Sequence, residues 1–523
     1  MIGVLSLLTL CTAVAQNGDA RPEAALVMQD VPVRPRASDV CFSSRWEHPR
    51  NTQDPYDTFQ MADAFHATRL DWVYTRKREF IAKAQARGLP VMATLNANMS
   101  DTLGKPTTIS GRIVDRAGQR LTAPWMREWP NSDWGCANSP EYRAIFQMHA
   151  RACLDAGANS LHMDDPKMNI HAVQWGGCFC PHCMRGFSDY LARTTTPAQR
   201  VELGIEDIQT FDYRALPPEK TPEKLKTLFA AFQWESVTRF FGDMMPEVDR
   251  YARRHVPFSM NNYGGDWQGY AFAQEYADFG LAELAEDKGA LPVKMRYALK
   301  EAARRQKAQV FTFVNEDVRQ TRRVIATAYA LGSHVVVPWD VYIKGAKRYF
   351  GRPEDFADLY GFVRGIAGYL DGYEEVAAFG EGLADDGDEK PPPVLLDDNR
   401  VYAFTRARKE GPPALAIHLV DWNTEAKPHT IRVYLGHLMG KQRVQVRLLQ
   451  PVPYQEPLHA AAEKEAAALR QPGRWRGAAE AAAFARLVNT MEMPSVPDEH
   501  GVIEVQCPPL EPWGVLVVNA APR

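Results

Sequence analysis

Eight short apolar runs, each followed by a longer amphipathic segment, repeat between residue 38 and about residue 340 of this 523-residue chain. This alternation is typical of βα units around a parallel sheet. Eight such units predict a closed (β/α)8 barrel, because an open sheet of that size would leave edges to protect. The predicted strands are 40–43, 69–74, 90–95, 160–164, 258–262, 279–284, 310–314 and 334–338.

Polar and aromatic residues cluster where these runs end. In a barrel the C-terminal strand ends converge on one mouth, where active sites are built, whereas the opposite ends serve stability. Each residue alone could instead cap a helix or pack in the core, but the set as a whole predicts a functional mouth. Its members are Trp72, Tyr74, Asn96, Asn98, Asp164, Asp165, Asn261, Asn262, Glu283, Glu286, Asp287, Asn315, Glu316, Trp339 and Asp340.

The C-terminal part of the chain has a different pattern. Residues 381–393, EGLADDGDEKPPP, are acidic and rich in Pro and Gly, which predicts a linker after a barrel domain at 16–380. Short strand-like runs then recur at turn-separated spacing and predict a β-sandwich over 394–523. An Ala-rich and Glu-rich stretch at 459–486 interrupts them as a helix or insertion. The sandwich could bind sugar or buttress the barrel.

The N-terminus and the charge balance predict export and a small neutral partner. Residues 1–15, MIGVLSLLTLCTAVA, end in the small-x-small pattern of a signal peptide, which predicts a secreted or periplasmic protein. After residue 15 the sequence has no run of roughly eighteen apolar residues, so it predicts no membrane span. With 61 basic and 64 acidic residues, the chain has no basic stripe for nucleic acid and no polybasic membrane anchor.

Three cysteines lie within six residues of each other in GGCFCPHC: Cys178, Cys180 and Cys183. That spacing lets a turn wrap soft ligands around one ion, and four thiolates are typical of structural zinc. Cys136 is the best candidate for the fourth ligand, and His182 is the alternative. Disulfide formation is the competing interpretation in an oxidising compartment.

The stretch 161–192, LHMDDPKMNIHAVQWGGCFCPHCMRGFSDYLA, resembles family 42 glycoside hydrolases, the zinc-carrying β-galactosidases of the large retaining-barrel clan. The resemblance implies a (β/α)8 barrel whose fourth strand ends in the general acid and whose seventh strand ends in the nucleophile, at Glu316. It also implies that an earlier cysteine, here Cys136, completes the zinc site. The sequence departs from the family where Asp164-Asp165 replaces Asn-Glu, which indicates a divergent relative.

Glycosidic cleavage requires one carboxylic acid and one carboxylate near the anomeric carbon. The first assignment makes Asp165 the acid/base and Glu316 the nucleophile or base. A rival, the arrangement of α-glycosidase barrels, makes Asp164 or Asp165 the nucleophile and Glu283 the acid. We expect four further residues to bind the sugar next to the cleaved bond: Asn96, Asn262, Trp339 and Asp340.

Other functions are less compatible with the sequence. No phosphate-binding glycine loop and no G-x-S-x-G motif is present, so the sequence predicts no organic cofactor and no lipase-like esterase. The alternative from a different class is a secreted barrel that binds glycans without cleaving them. Assembly into a homo-oligomer, the sugar and the linkage are left open.

Overall fold

The computed structural model describes residues 28–520 except 104–109, 286–290, 345–346, 384–392, 436–438, 440–442, 472, 477 and 495. The predicted signal peptide, the candidates Glu286 and Asp287, and most of the predicted linker lie outside the described residues.

The predicted barrel is confirmed. Parallel strands are hydrogen-bonded in chain order into one sheet. A parallel bridge between Phe42 and Val337, at 2.9 Å from the Val337 N–H to the Cys41 carbonyl, joins the last strand region to the first. The strands are β1 Cys41–Phe42, β2 Arg69–Val73, β3 Val91–Asn96, β4 Ser160–Asp164, β5 Phe258–Met260, β6 Phe279–Glu283, β7 Ala308–Thr312 and β8 His334–Val335.

Helices surround these strands and follow the amphipathic segments of the sequence. Side chains cap the starts of two of these helices. The Ser139 side chain accepts a hydrogen bond from the Tyr142 N–H in the helix that begins at Pro140, and the Asp317 side chain accepts one from the Arg319 N–H in the helix that begins at Val318. The helices are α1 Thr58–Ala64, α2 Arg78–Ala86, α3 Pro140–Asp155, α4 Asn169–Gln174, α5 Pro181–Thr194, α6 Pro197–Glu202, α7 Glu223–Ala252, α8 Pro292–Arg304, α9 Val318–Ala330 and α10 Pro353–Gly365.

An antiparallel hairpin, β9 Trp339–Lys344 and β10 Lys347–Phe350, follows β8 at the barrel mouth. The predicted β-sandwich follows it and is also confirmed, as two antiparallel sheets ordered β11-β13-β14-β19-β16-β17 and β12-β15-β18. Its elements are β11 Tyr373–Phe379, β12 Val394–Leu396, β13 Val401–Arg408, β14 Ala414–Asp421, β15 His429–Tyr434, β16 Val444–Pro451, α11 Glu456–Ala468, β17 Val488–Met493, β18 Val502–Cys507 and β19 Trp513–Ala520.

Apolar side chains from both sheets form the sandwich core, for example Ile417 and Leu516 against Ile431 and Val505. Strand β11, which precedes the predicted linker, pairs with β13 and so belongs to this sheet. The sheet packs on the barrel through the buried Trp513, whose ring centroid lies 4.9 Å from that of Phe362 in α10. In the described part of the chain, no helix combines the length and hydropathy needed to cross a bilayer.

Candidate active site at the barrel mouth

A cavity of about 570 Å³ opens at the C-terminal ends of the barrel strands. Its walls come from β3, β4 and β6, from the segments that follow β1, β2, β3, β4 and β5, and from the hairpin. The lining residues include Arg45, Trp46, Tyr74, Asn96, Asn98, Trp125, Trp129, Asp164, Asp165, Lys167, Asn261, Tyr263, Asp266, Tyr270, Glu283 and Tyr342.

A second groove, of about 730 Å³, lies between α9, α10 and the sandwich. It is larger, but two of its carboxyl groups are paired with arginine: Asp358 forms a 2.6 Å salt bridge with Arg322, and Asp355 a 3.0 Å salt bridge with Arg352. We therefore place the candidate site in the cavity at the barrel mouth, where active sites of this fold are built.

Asp164, the last residue of β4, is surrounded by hydrogen-bond donors. Its Oδ2 accepts from the Tyr74 hydroxyl and from Asn96 Nδ2 at 3.3 Å, and its Oδ1 accepts from Asn261 Nδ2 at 3.1 Å and from the Asp165 N–H at 3.0 Å. Burial and the charge of Asp164 raise the pKa of Tyr74 well above its usual value, so the phenol stays protonated and donates. Four donors around one carboxyl suit the ionised form, which only accepts hydrogen bonds.

Asp165 occupies the left-handed region, with φ 52°. This conformation costs on the order of 1 kcal/mol for a residue with a Cβ. A hydrogen bond to a charged group contributes about 1.5–3 kcal/mol, so the contact of the Asp165 N–H with Asp164 offsets that cost. Burial and the nearby charges of Asp164 and Glu283 raise the pKa of Asp165 well above its usual value, against the opposing effects of Asn96 and Arg45.

Glu283, the last residue of β6, lies in the same cavity as Asp164. Desolvation inside the cavity and the charge of Asp164 raise the pKa of Glu283, whereas Arg45 lowers it. The net effect is a raised pKa. Its side chain opens onto the cavity with 43% of its surface exposed, and its Oε1 lies 3.5 Å from Arg45 Nη2. Asn261 Nδ2 donates a hydrogen bond to Asp164 at 3.1 Å, and the same side chain lowers the pKa of Glu283, so it lies near the ends of both β4 and β6.

Glu316 does not line this cavity. Its side chain is 68% exposed and forms a 2.9 Å salt bridge with Lys347, which is itself exposed. The physical reason lies in the next residue: Asp317 caps α9, so the chain turns away from the mouth directly after β7. The structure thus brings together Asp164, Asp165 and Glu283, but leaves Glu316 outside.

Of the four expected sugar-binding residues, only Asn96 lines the cavity. Asn262 is buried between strands and donates to Gln309 Oε1 at 2.9 Å. Trp339 is buried against Phe42, with ring centroids 5.2 Å apart.

Asp340 is also buried, where it accepts from Arg348 Nε at 2.7 Å and lies 3.1 Å from His48 Nε2. The side chains of Asn262, Trp339 and Asp340 therefore support the walls of the barrel from behind the cavity surface.

Several cavity residues had no specific role in the sequence analysis, among them Arg45, Trp46 and Asn261. Asn261 and Asn262 are neighbours, and successive side chains of a strand point in opposite directions, so only one of the pair can face the cavity. Arg45 and Trp46 follow the short strand β1 within SSRW, a cluster of polar and aromatic residues directly after an apolar run.

The four predicted cysteines form a buried cluster whose sulfur atoms all lie within 4.8 Å of one another. The Cys136 Sγ lies 3.4 Å from that of Cys183 and 3.6 Å from that of Cys180. Around a tetrahedral ion with metal–sulfur bonds of about 2.3 Å, the sulfur atoms would be roughly 3.8 Å apart, whereas a disulfide requires about 2.05 Å. The geometry therefore suits one shared metal ion.

Hydrogen-bond donors surround these sulfur atoms. Asn169 Nδ2 lies 3.4 Å from the Cys136 Sγ, and Asn138 Nδ2 lies 3.3 Å from that of Cys183. Burial raises the pKa values of Cys136 and Cys183, so a bound cation would be needed to keep several thiolates ionised together. His182 lies outside the cluster, 3.6 Å from the Glu141 carboxylate.

Comparisons with known proteins relate the chain to polysaccharide-degrading enzymes at low identity. An α-agarase of Alteromonas agarilytica is 25% identical over 285 residues, covering 48% of this chain and 20% of that protein. An α-agarase of Thalassotalea agarivorans is 24% identical over 283 residues, covering 48% of this chain and 19% of that protein. The alignments thus span about a fifth of the length of these curated relatives. No family model matches the chain.

Among solved structures, an α-amylase from Geobacillus thermoleovorans complexed with acarbose aligns with 94% of this chain and 100% of that chain. Its sequence identity is 8% and its TM-score 0.47, values too low to support an argument about function.

Proposed function

We propose that this protein is a secreted or periplasmic glycoside hydrolase that cleaves an oligosaccharide or polysaccharide between two carboxyl groups at its barrel mouth. The observation that carries the proposal is the arrangement of Asp164 and Glu283. They end two different strands, line one cavity and lie near the same side chain, Asn261, which donates to Asp164 and lowers the pKa of Glu283. Glycosidic cleavage requires such a pair around the scissile bond.

The two groups differ in the way the reaction requires. The raised pKa of Glu283 favours its protonated form, which can donate a proton to the leaving oxygen. Asp164, which accepts hydrogen bonds from four donors, attacks the anomeric carbon or activates a water molecule. This is the α-glycosidase assignment of the sequence analysis, with Glu283 in the role first given to Asp165, and it leaves no catalytic role for Glu316.

Asp165 and Asn96 bind sugar hydroxyl groups beside Asp164 in this proposal. Both line the cavity, and Asn96 Nδ2 lies within hydrogen-bond distance of Asp164 and of the Tyr74 hydroxyl, at 3.3 and 3.1 Å. The half-exposed ring of Trp125 offers an apolar face on which a sugar ring stacks.

The substrate we propose is a neutral galactan of the agar type with an α-linked bond. The α-agarase names of the two relatives support this class. The cavity also offers only two basic side chains to bind the charges of a sulfated or uronate-rich chain, which disfavours such a substrate. The acidic residues are Asp164, Asp165, Asp266 and Glu283, and the basic ones are Arg45 and Lys167.

The four-cysteine cluster would hold a structural zinc ion in this account. Cys136 lies between β3 and α3, and the other three ligands lie between α4 and the first turn of α5. Bound zinc would therefore fasten the long segment that carries Trp125 and Trp129 to the segment that follows Asp164. Elemental analysis of the purified protein should find about one zinc ion per chain.

The β-sandwich acts as a buttress in this proposal, with the barrel domain at 16–380 and the sandwich at 394–523. The burial of Trp513 against Tyr329 and Phe362, with ring centroids 6.2 and 4.9 Å away, supports a fixed structural contact.

A screen of aryl α-galactosides and aryl β-galactosides, agarose and other algal or plant polysaccharides tests the proposal. We expect hydrolysis that is lost in the Asp164→Asn and Glu283→Gln variants and kept in Glu316→Gln. Saturable glycan binding without products, in wild-type protein that is folded by circular dichroism, would instead support a non-catalytic glycan-binding barrel.

A further inference from the structure

We propose that the cavity accepts the end of a glycan chain, not its middle, so that the enzyme releases short products of fixed size from a chain terminus. This inference rests on the proposed glycoside hydrolase activity and concerns how the polymer enters the same site.

An aromatic wall closes one side of the cavity. Trp129, between β3 and α3, lies with its ring centroid 5.8 Å from that of Tyr342 in β9. In the barrel, β1 and β2 separate β8 from β3, so this contact passes over the ends of β1 and β2. Two rings in contact leave no channel through which a sugar chain could leave between them.

The wall continues inward to the carboxyl groups. Trp46 Nε1 donates a hydrogen bond to the Tyr342 hydroxyl at 3.4 Å, and the Trp46 ring stacks on Tyr74 with centroids 5.0 Å apart. Tyr74 in turn donates to Asp164. A polymer that continued past Asp164 in this direction would have to displace these three rings.

Exposed aromatic rings mark the part of the cavity rim next to the segments that follow β4 and β5. Tyr263, after β5, is 56% exposed, and Trp125 is 49% exposed. Trp125 is held edge-on by Trp134 and Trp175, with centroids 5.7 and 5.3 Å away, so its position is fixed although its face is accessible. Sugar rings stack on such faces, and we infer that the rest of the glycan leaves the cavity over Trp125 and Tyr263.

The test compares the number of bonds cleaved with the loss of polymer length. The polysaccharide hydrolysed fastest in the screen above is digested, and viscosity and new reducing ends are measured in the same sample while products are resolved by chromatography. We expect one short product from the earliest time points and little viscosity loss per reducing end. A broad ladder of long products with a rapid fall in viscosity would overturn the inference.

Removing the wall should change the mode of action. In Trp129→Ala and Tyr342→Ala, we expect the viscosity loss per reducing end to rise severalfold, because a chain can now pass over β1 and β2. This ratio does not depend on the total rate, so a less active variant still gives a result. An unchanged ratio in folded variants would contradict the role of the wall.

Trp125→Ala is the matched control from the same segment. It removes an indole that contributes to chain binding but does not touch the hairpin, so we expect a higher KM and an unchanged ratio. If no aryl glycoside and no polysaccharide is hydrolysed, the proposed function itself fails. If aryl glycosides are cleaved and the polymer gives a ladder, only chain-end recognition fails.

Discussion

The ends of β4 and β7 look alike in sequence and differ in structure. Each is an apolar run with two acidic residues near its end: Asp164 and Asp165 at the end of β4, and Glu316 and Asp317 shortly after β7. At β4 the side chains of Tyr74, Asn96 and Asn261 converge on the first carboxyl.

At β7 the first carboxyl meets an exposed lysine, and the second caps a helix. An acidic residue at a barrel mouth is therefore a candidate catalytic group when side chains from neighbouring strands donate hydrogen bonds to its carboxyl. Position at a strand end is not enough, because a helix cap uses the same residue types.

Neutralising one carboxyl near the end of each strand tests the difference between β4 and β7 with the largest expected effect. We expect Asp164→Asn to lower kcat/KM by on the order of 10⁴-fold, as the loss of a group that acts directly on the reacting atoms does. Glu316→Gln, the matched control, should change it by less than about twofold, since it alters an exposed salt bridge. Equal losses in the two variants would remove the distinction between β4 and β7.

Replacing the proposed acid should give a loss that depends on the leaving group. Glu283→Gln cannot donate a proton, so we expect hydrolysis of the polysaccharide to fall by about 10²–10³-fold. An aryl glycoside with an acidic phenol needs little protonation and should lose much less. If both substrates lose activity equally, Glu283 does not act as the proton donor.

Most of the fold could be predicted from the sequence, because each barrel strand is an apolar run whose boundaries lie within a few residues of the observed ones. Strand β11 is not among the predicted strands, because its residues, YEEVAAF, lie at the edge of the sheet and only Tyr373 is buried. The cysteine cluster could be predicted because its spacing is local.

The site could be predicted only in part. Four of the predicted site residues line the cavity: Asp164, Asp165, Glu283 and Asn96. Four others were predicted on equal grounds and do not line it: Glu316, Asn262, Trp339 and Asp340. Which way a side chain turns after a strand depends on contacts made far away in the chain. Asp340, for example, is held by His48, 292 residues earlier.

The cysteine cluster gives a further contrast, because it fastens the segment after β4 and has no counterpart after β7 in the described residues. We expect Cys183→Ala to lose the bound metal, lower the melting temperature and reduce kcat/KM by roughly 10-fold, since supporting residues around a site typically matter to that extent. Cys153→Ala removes an isolated buried thiol from α3 and should keep the metal and most of the activity. Full metal content in the Cys183 variant would contradict the ligand assignment.

The smallest expected effect is a change in the pH profile. Arg45 lowers the pKa of Glu283, so Arg45→Met should let that pKa rise. Because the acid must be protonated, the alkaline limb of kcat/KM should then move to higher pH. Lys347→Met, which removes the cation next to Glu316, should leave the limb in place. A shift to lower pH in the Arg45 variant would contradict the assignment of Glu283.

The most direct test of the account is a structure of the Glu283→Gln variant holding an uncleaved oligosaccharide. We expect the bridging oxygen of one glycosidic bond to lie within about 3.2 Å of the residue 283 side chain, with the anomeric carbon facing Asp164. A sugar bound with its glycosidic bond beyond the reach of both groups, or next to Glu316, would contradict the account.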